Sequence, residues 1–257
     1  MVVKSADRVT QILETVASQE KGITHGALAK SLDIPKGSLS LLLSNLTYRE
    51  YLTFDPLSKR YMLGSRLLIL TGRYLSNLDI VRVARPIIRT LVAEINEDTE
   101  LAVMKGSKVV FLHKEECSKP LKYSIEIGQR APAYATACGK AILAHLSEEE
   151  ITAYFASVPL TSFTGNTVTD PDMLRRQLQD VRTSGLAYVC EEFQHGISAI
   201  AAPVFNFYGN VEGSITVTVP SIRFNAEHNR FIEPRLLRAA ATISQQLGFD
   251  PDKQENG

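Results

Sequence analysis

Three groups of residues in this 257-residue chain have types and spacings that suggest chemistry. The first is Cys138, with His195 and the adjacent Glu191 and Glu192 further along. A thiol near a helix start has a lowered pKa, and an imidazole oriented by a carboxylate is the base of a cysteine-dependent hydrolase. Nothing in the sequence brings these residues together, so a small buried thiol and a loop histidine before Gly196 are the favoured reading, and no catalytic residue is assigned. The second group is His113 and Cys117, an HxxxC pair. On a strand that spacing puts both on one face but about 13 Å apart, too far for one ion, so no metal site is expected. The third is GQRAPAYATACGKAILAH, Gly128–His145. Small residues crowd at Ala133–Gly139, and Lys140–His145 reads as a helix. Backbone N–H groups at a helix start can hold an anion; the same small residues also suit tight packing, and both readings stand. The GxxxxGK[ST] spacing of a nucleotide-binding loop is absent, and no cofactor is expected.

A fourth stretch, IPKGSLSLLLSNL at Ile34–Leu46, offers hydrogen bonds rather than catalysis. Leu39, Leu42, Leu43 and Leu46 recur as one face of a helix. Lys36, Gly37, Ser38, Ser40, Ser44 and Asn45 form a small, polar, barely charged remainder. Such a face fits a DNA major groove; an ordinary amphipathic surface helix has the same pattern.

The elements that would position these residues follow from composition and periodicity. Apolar content of 44% and charged content of 22% belong to a soluble globular chain with a real core. The net charge is zero, but residues 1–75 carry ten Lys/Arg against six Asp/Glu, and the remainder 18 against 22. A basic head on an acidic body suits a polyanion-binding module joined to a domain with another task. Three cysteines without a CxxC point to a reducing compartment. The polar N-terminus is no signal peptide, and no 18-residue apolar run exists to span a membrane. A cytoplasmic protein is expected.

In the head, Val9, Ile12, Leu13, Val16 and Ala17 share one helical face, with Ser5 as candidate N-cap and a stop near Lys21-Gly22. Thr24 caps a short second helix bearing Leu28, Ala29 and Leu32. Asp33-Ile34-Pro35 breaks it, and the Ile34–Leu46 helix follows, giving a helix-turn-helix. Tyr51–Phe54 and Arg60–Leu63 then read as two strands around the turn Asp55-Pro56-Leu57-Ser58-Lys59. A hairpin there is a wing, with Lys59 and Arg60 at its tip facing a phosphate backbone.

These runs resemble the winged-helix head of the isocitrate-lyase-regulator (IclR) family of bacterial transcription factors. The matching residues are RVTQILETVA, LAKSLDIPKGSLSLLLSNL and EYLTFDPLSKRYMLGSRLL. The chain departs at Leu41, where the family commonly has Arg, and at Ser40, where it often has His or Tyr. Leu41 can touch a thymine methyl but cannot hydrogen-bond a base edge, so a family operator does not carry over.

Ser65–Leu75, with Leu67, Leu68, Ile69, Leu70 and Leu75, is more apolar than one helix face can hide. It reads as a linker helix that also packs on a partner subunit, giving a homodimer or a dimer of dimers with paired heads on symmetric half-sites. From Asp79 a helix runs to Ile95 on Val83, Ile87, Leu91, Val92 and Ile95, with Pro86 as a kink. Strands follow at Leu101–Met104, Val109–Leu112 and Leu121–Ile127. Helices are expected at Glu148–Phe155 and Pro171–Ser184, strands at Ala187–Cys190, Ile197–Phe205 and Val211–Val219. A last helix, Ala226–Leu247, carries Phe231, Leu236, Leu237, Ala240, Ile243 and Leu247. The whole is α+β: a winged helix-turn-helix (1–64), a linker helix (65–77), a domain with a mainly antiparallel sheet (78–250) and a flexible tail (251–257).

ATACGKAILA and EEFQHG followed by IAAPVF and GSITVTVP resemble the effector domain of the same family, which implies a GAF-like fold. Its effector contacts, carried over by matched position, fall on Ala137, Cys138 and Gly139 of the loop, Val189, Ala199, Thr216 and Thr218. Thr216 and Thr218 are two apart and so share a strand face. Two hydroxyls facing the loop N–H groups would clamp a small carboxylate. Some members carry an acid where this chain has Val189 and a Cys or polar residue where it has Ala199. An effector with a carboxylate and an apolar or carbonyl-bearing remainder is therefore expected, not a polyhydroxylated sugar acid. The resemblance implies a regulator, more often a repressor than an activator, whose operator affinity answers to a small organic acid.

Overall fold

The computed structural model describes residues 3–76, 80–121 and 125–251. The chain forms two compact units that divide between residues 78 and 79.

The first unit runs α1 (Lys4–Ala17), β1 (Ile23–Thr24), α2 (His25–Ser31), α3 (Lys36–Tyr48), β2 (Leu52–Asp55), β3 (Arg60–Leu63) and α4 (Ser65–Ser76). Its strands form an antiparallel sheet in the order β1-β3-β2. Ile12, Val16, Leu28, Leu39, Leu43 and Leu52 close one core. Thr24 caps α2 by accepting the Ala27 N–H. Ser5, in contrast, lies inside α1, whose flanking residue Val3 makes no side-chain cap. Helix α1 also stops at Ala17 rather than at Gly22. Gly22 serves the wing instead: it adopts φ +70, and a Cβ there would come within 2.7 Å of Met62 and of the Tyr61 carbonyl. Helix α3 begins at Lys36, with Pro35 in the extended cap position and not in the first turn. On α4, Leu68, Ile69 and Leu70 are exposed.

The second unit continues α5 (Ile80–Ile95), β4 (Asp98–Lys105), β5 (Lys108–Glu115), β6 (Arg130–Pro132), α6 (Ala137–Leu143), α7 (Glu148–Ser157), α8 (Pro171–Ser184), β7 (Ala187–Cys190), β8 (Ile197–Phe205), β9 (Val211–Pro220) and α9 (Ala226–Gln246). All pairings in its six-stranded sheet, β6-β5-β4-β9-β8-β7, are antiparallel. Helices α5 and α9 pack against each other and on the sheet, while α6 covers β7, β8 and β9 and packs on α8.

Several boundaries differ from the sequence expectation for physical reasons. Strand β4 starts at Asp98, three residues early, because it pairs with β9 from there on. Of the expected strand Leu121–Ile127, Lys122, Tyr123 and Ser124 lie outside the described residues; the paired strand is β6 instead. On α5, Ala84 and Ile88 are buried while Val83 and Ile87 are only half-buried, a shift of one residue that adjacent apolar pairs allow. On α9, Ile232 and Ala239 join the buried face, and Phe231 and Leu237 are 41% and 37% exposed. No helix among the described residues is long and apolar enough to cross a membrane.

Candidate DNA-reading face and ligand cleft

In the head, Leu39, Leu43 and Leu46 anchor α3 to the core. Gly37, Leu41, Ser44 and Tyr48 therefore fall on the opposite side, one helical turn apart in succession. Leu41 is 75% and Tyr48 87% exposed. Lys36 and Asn45 are exposed beside them, whereas Ser38 is half-buried. Ser40 is committed locally: its hydroxyl donates to the Lys36 carbonyl at 2.9 Å and lies 3.0 Å from His25 Nε2. Tyr48 escaped the sequence reading because that reading ended the helix at Leu46, two residues early. At the wing, Asp55 accepts from the Leu57 and Ser58 N–H groups and from the Ser58 hydroxyl, and the Ser58 and backbone bonds hold its carboxyl below the usual range. Lys59 is exposed there with φ +55. Arg60 is not at the tip: its guanidinium turns inward and donates to the Gly22 carbonyl at 2.7 Å.

In the second unit, Ala137, Cys138, Val189, Ala199, Thr216 and Thr218 line a single cleft of about 520 Å³, counting its open mouth. Phe111, Ile125, Phe193 and Ile197 complete apolar walls, with Gln129 and Gln194 as polar members. Gly139 is not in the lining. Its N–H is donated to the Thr136 hydroxyl at 3.3 Å, which caps α6. That cap also explains why the helix begins at Ala137 and not at Lys140. Gly139 is required for packing, since a Cβ would fall 2.1 Å from the Ala133 carbonyl oxygen. The N–H groups of Ala137 and Cys138, in the first turn, have no intrahelical acceptor.

The two threonines of β9 are not equivalent. Thr216 Oγ1 is buried and has no nitrogen or oxygen hydrogen-bond partner among the described residues, its polar neighbour being the weakly hydrogen-bonding Cys138 thiol. Thr218 Oγ1 lies 2.9 Å from Glu100 Oε2. Glu100, on β4, is fully buried; burial, with Asp98 adding to it, pushes its carboxyl up to about 8 against the bond from Thr218 and the charge of Lys114. The sequence reading missed Glu100 by starting the strand at Leu101. The two-residue spacing of Asp98, Glu100 and Ala102 was the available signal.

Cys138 is 1% exposed. Burial, reinforced by Glu100, pushes its thiol up to about 11 and outweighs the Thr136 hydrogen bond. This is the opposite of the lowered thiol pKa a cysteine hydrolase needs. His195 does not attend it: its side chain is 76% exposed and pairs with Glu191 at 3.6 Å. The other glutamate of the pair is structural. Glu192 receives Lys140 Nζ at 2.5 Å, and Lys140 also donates to Gln177 at 2.7 Å. This buried pair fastens the segment carrying Phe193 and Gln194 to α6. Among the described residues no group of three or more His, Cys, Asp or Glu could hold a metal ion.

A winged helix-turn-helix joined to this cleft-bearing domain matches two family models in sequence. Residues 5–56 match the IclR helix-turn-helix domain, and residues 72–245 match the bacterial transcriptional regulator IclR C-terminal domain. The chain belongs to the IclR family. Among IclR relatives, it is 30% identical over 248 residues to the HTH-type transcriptional regulator KdgR of Escherichia coli K12, covering 96% of this chain and 94% of that one. It is 29% identical over 227 residues to KipR of Bacillus subtilis 168, covering 88% and 90%. The fold is similar to that of the Agobacterium tumefaciens repressor BlcR, with a TM-score of 0.86 at 24% identity over 96% of this chain and 98% of that one. Family membership makes this IclR protein a DNA-binding transcriptional regulator, and its relatives KdgR and KipR are described as transcriptional regulators.

Proposed function

We propose that this protein is a repressor whose operator affinity is set by a small carboxylate-bearing metabolite bound in the cleft of residues 137–218. The observation that carries this reading is the buried, unpartnered Thr216 hydroxyl in a mainly apolar cleft. A buried polar group without a partner is costly, and a ligand oxygen supplies the missing one. The N–H groups of Ala137 and Cys138 offer two more donors on the same cleft. Val189, Ala199, Phe111 and Ile125 favour an apolar or carbonyl-bearing remainder over a polyhydroxylated one.

On DNA, the outer face of α3 enters the major groove, with Lys36, Gly37, Ser44 and Asn45 toward the duplex and Lys59 on a neighbouring phosphate. Leu41 offers apolar contact to a thymine methyl. Selectivity then depends heavily on the wing and on the spacing of two heads in a homodimer. The exposed Leu68, Ile69 and Leu70 of α4 favour burial against a second copy. The organisation is a head of residues 1–64, a linker of 65–77 and an effector domain of 78–250.

Effector and operator are linked: an acid that weakens DNA binding is itself bound more weakly on DNA, by the same factor. The test is a gel shift with the DNA upstream of the protein's own gene, with and without a panel of two- to six-carbon acids. Binding at low salt that one acid releases is expected. No binding at low salt defeats the DNA-reading assignment; binding that no acid alters defeats the effector assignment. A reporter fused to the same DNA reads repression or activation.

A further inference from the structure

Glu100 is a fully buried carboxyl beside the cleft, in contact with the hydroxyl of the cleft residue Thr218. Its Oε2 lies 2.9 Å from Thr218 Oγ1, while its Oε1 has no hydrogen-bond partner among the described residues. Across β4 and β9 its register partner is Thr216, whose hydroxyl is equally unpartnered. The groups that face it are few. Asp98 stands two residues away on β4; Lys114 pairs with it in register on β5 and lies 3.3 Å from Asp98; Cys138 of α6 covers it with a neutral thiol.

The direction of the Thr218 hydrogen bond depends on which form Glu100 takes. An ionised Glu100 can only accept, so Thr218 donates its proton to Glu100 and shows the cleft lone pairs alone. That arrangement repels a carboxylate twice, through the threonine lone pairs and through a like charge one side chain away. A neutral Glu100 carries its own O–H, which can donate to Thr218 Oγ1 and free the threonine proton. Resting on the carboxylate reading of the cleft, we propose that Glu100 is a positioning residue: as a neutral acid it donates to Thr218, turning the Thr218 hydroxyl into a donor for the effector's carboxylate. Thr218 and Thr216 then present two donors, and effector binding requires Glu100 to hold a proton. Burial already keeps that proton on at neutral pH. Binding is therefore unaffected up to about pH 8 and weakens about tenfold per pH unit above it, with one proton taken up per acid bound there.

Calorimetry on the full chain decides this, titrating acetate, pyruvate, butyrate and hexanoate at pH 7 and pH 9 in two buffers of different ionisation enthalpy. The expected result is roughly tenfold weaker binding at pH 9, with close to one proton absorbed there and none at pH 7. Glu100→Gln donates an amide proton at every pH, so it should keep the pH 7 affinity of the parent and lose the pH dependence. An infrared difference between parent and E100Q, without ligand, should show a protonated-carboxyl C=O stretch at pH 7 that is gone by pH 9. An acid that binds equally at both pH values without proton uptake overturns the role of Glu100 and leaves the cleft assignment standing. Failure of every acid to bind the parent overturns both. If E100Q does not fold, proton uptake by the parent decides alone.

Discussion

The outer face of α3 and the floor of the cleft are both hydrogen-bonding surfaces, yet they are built in opposite ways. The face of α3 comes from one continuous run, is solvated, and supports nothing behind it. The cleft is assembled from β5, α6, β7, β8, β9 and the loops beside them, and its threonines are buried among the side chains that hold the sheet and helices together. Substitution on α3 should therefore change function with little effect on folding, whereas the cleft couples the two. Surface groups keep their water when unbound; buried ones must find a partner inside the protein or go without.

The strongest way to break this contrast is Lys140→Ala. It leaves Glu192 buried without its cation, and loss of one partner of such a pair costs about 3–5 kcal/mol. Urea unfolding should show that loss, and a change below about 1 kcal/mol would place the pair outside the stabilising network. Glu100 comes next, through pH. Its folded pKa, about 8, lies above the unfolded carboxylate value, so the folded state holds more protons between the two. The stability it contributes is full below the unfolded pKa and is lost as pH rises toward 8, by at most about 1.4 kcal/mol per unit. Melting temperatures of E100Q relative to the parent should rise between pH 5 and pH 8; a constant difference would contradict a neutral Glu100.

Thr216→Val is smaller still in stability. Replacing an unpartnered buried hydroxyl by a methyl removes an unmet hydrogen bond, so the melting temperature should hold or rise slightly while release of the operator by the effector is lost. An unchanged effector response would displace the ligand from Thr216. On α3, Ser44→Ala and Asn45→Ala should shift stability by no more than about 0.5 kcal/mol. Operator affinity should fall by about 1–3 kcal/mol where either reads a base. Lys36→Ala should instead weaken binding to all sequences and lower the salt slope by about one. Loss of folding in these head variants would erase the contrast between the two regions.

Much of this division was legible in the sequence. Local periodicity placed β7, β8 and α8 at their observed bounds, and small residues with a 3.6-residue repeat marked α3 as a two-faced helix. Matched positions named six of the cleft residues. Phase within a doubly apolar run was not legible: Ile87 and Ile88 are equally apolar, and packing of α5 on α9 and the sheet chose Ile88. The direction of Arg60 also depended on a partner far along the chain, the Gly22 carbonyl, 38 residues away.

What the sequence determined by itself is what depends on neighbours within a few residues: most of the helices, the hairpin, the cap at Thr24, and the amphipathic faces. The tertiary structure decided which polar groups lose water. Glu100 is an ordinary acid at a strand start until β5, β9 and α6 surround it, and Thr218 is an ordinary strand threonine until it lies 2.9 Å from that acid. Desolvation is a property of the surroundings assembled in space, so no spacing along the chain encodes it.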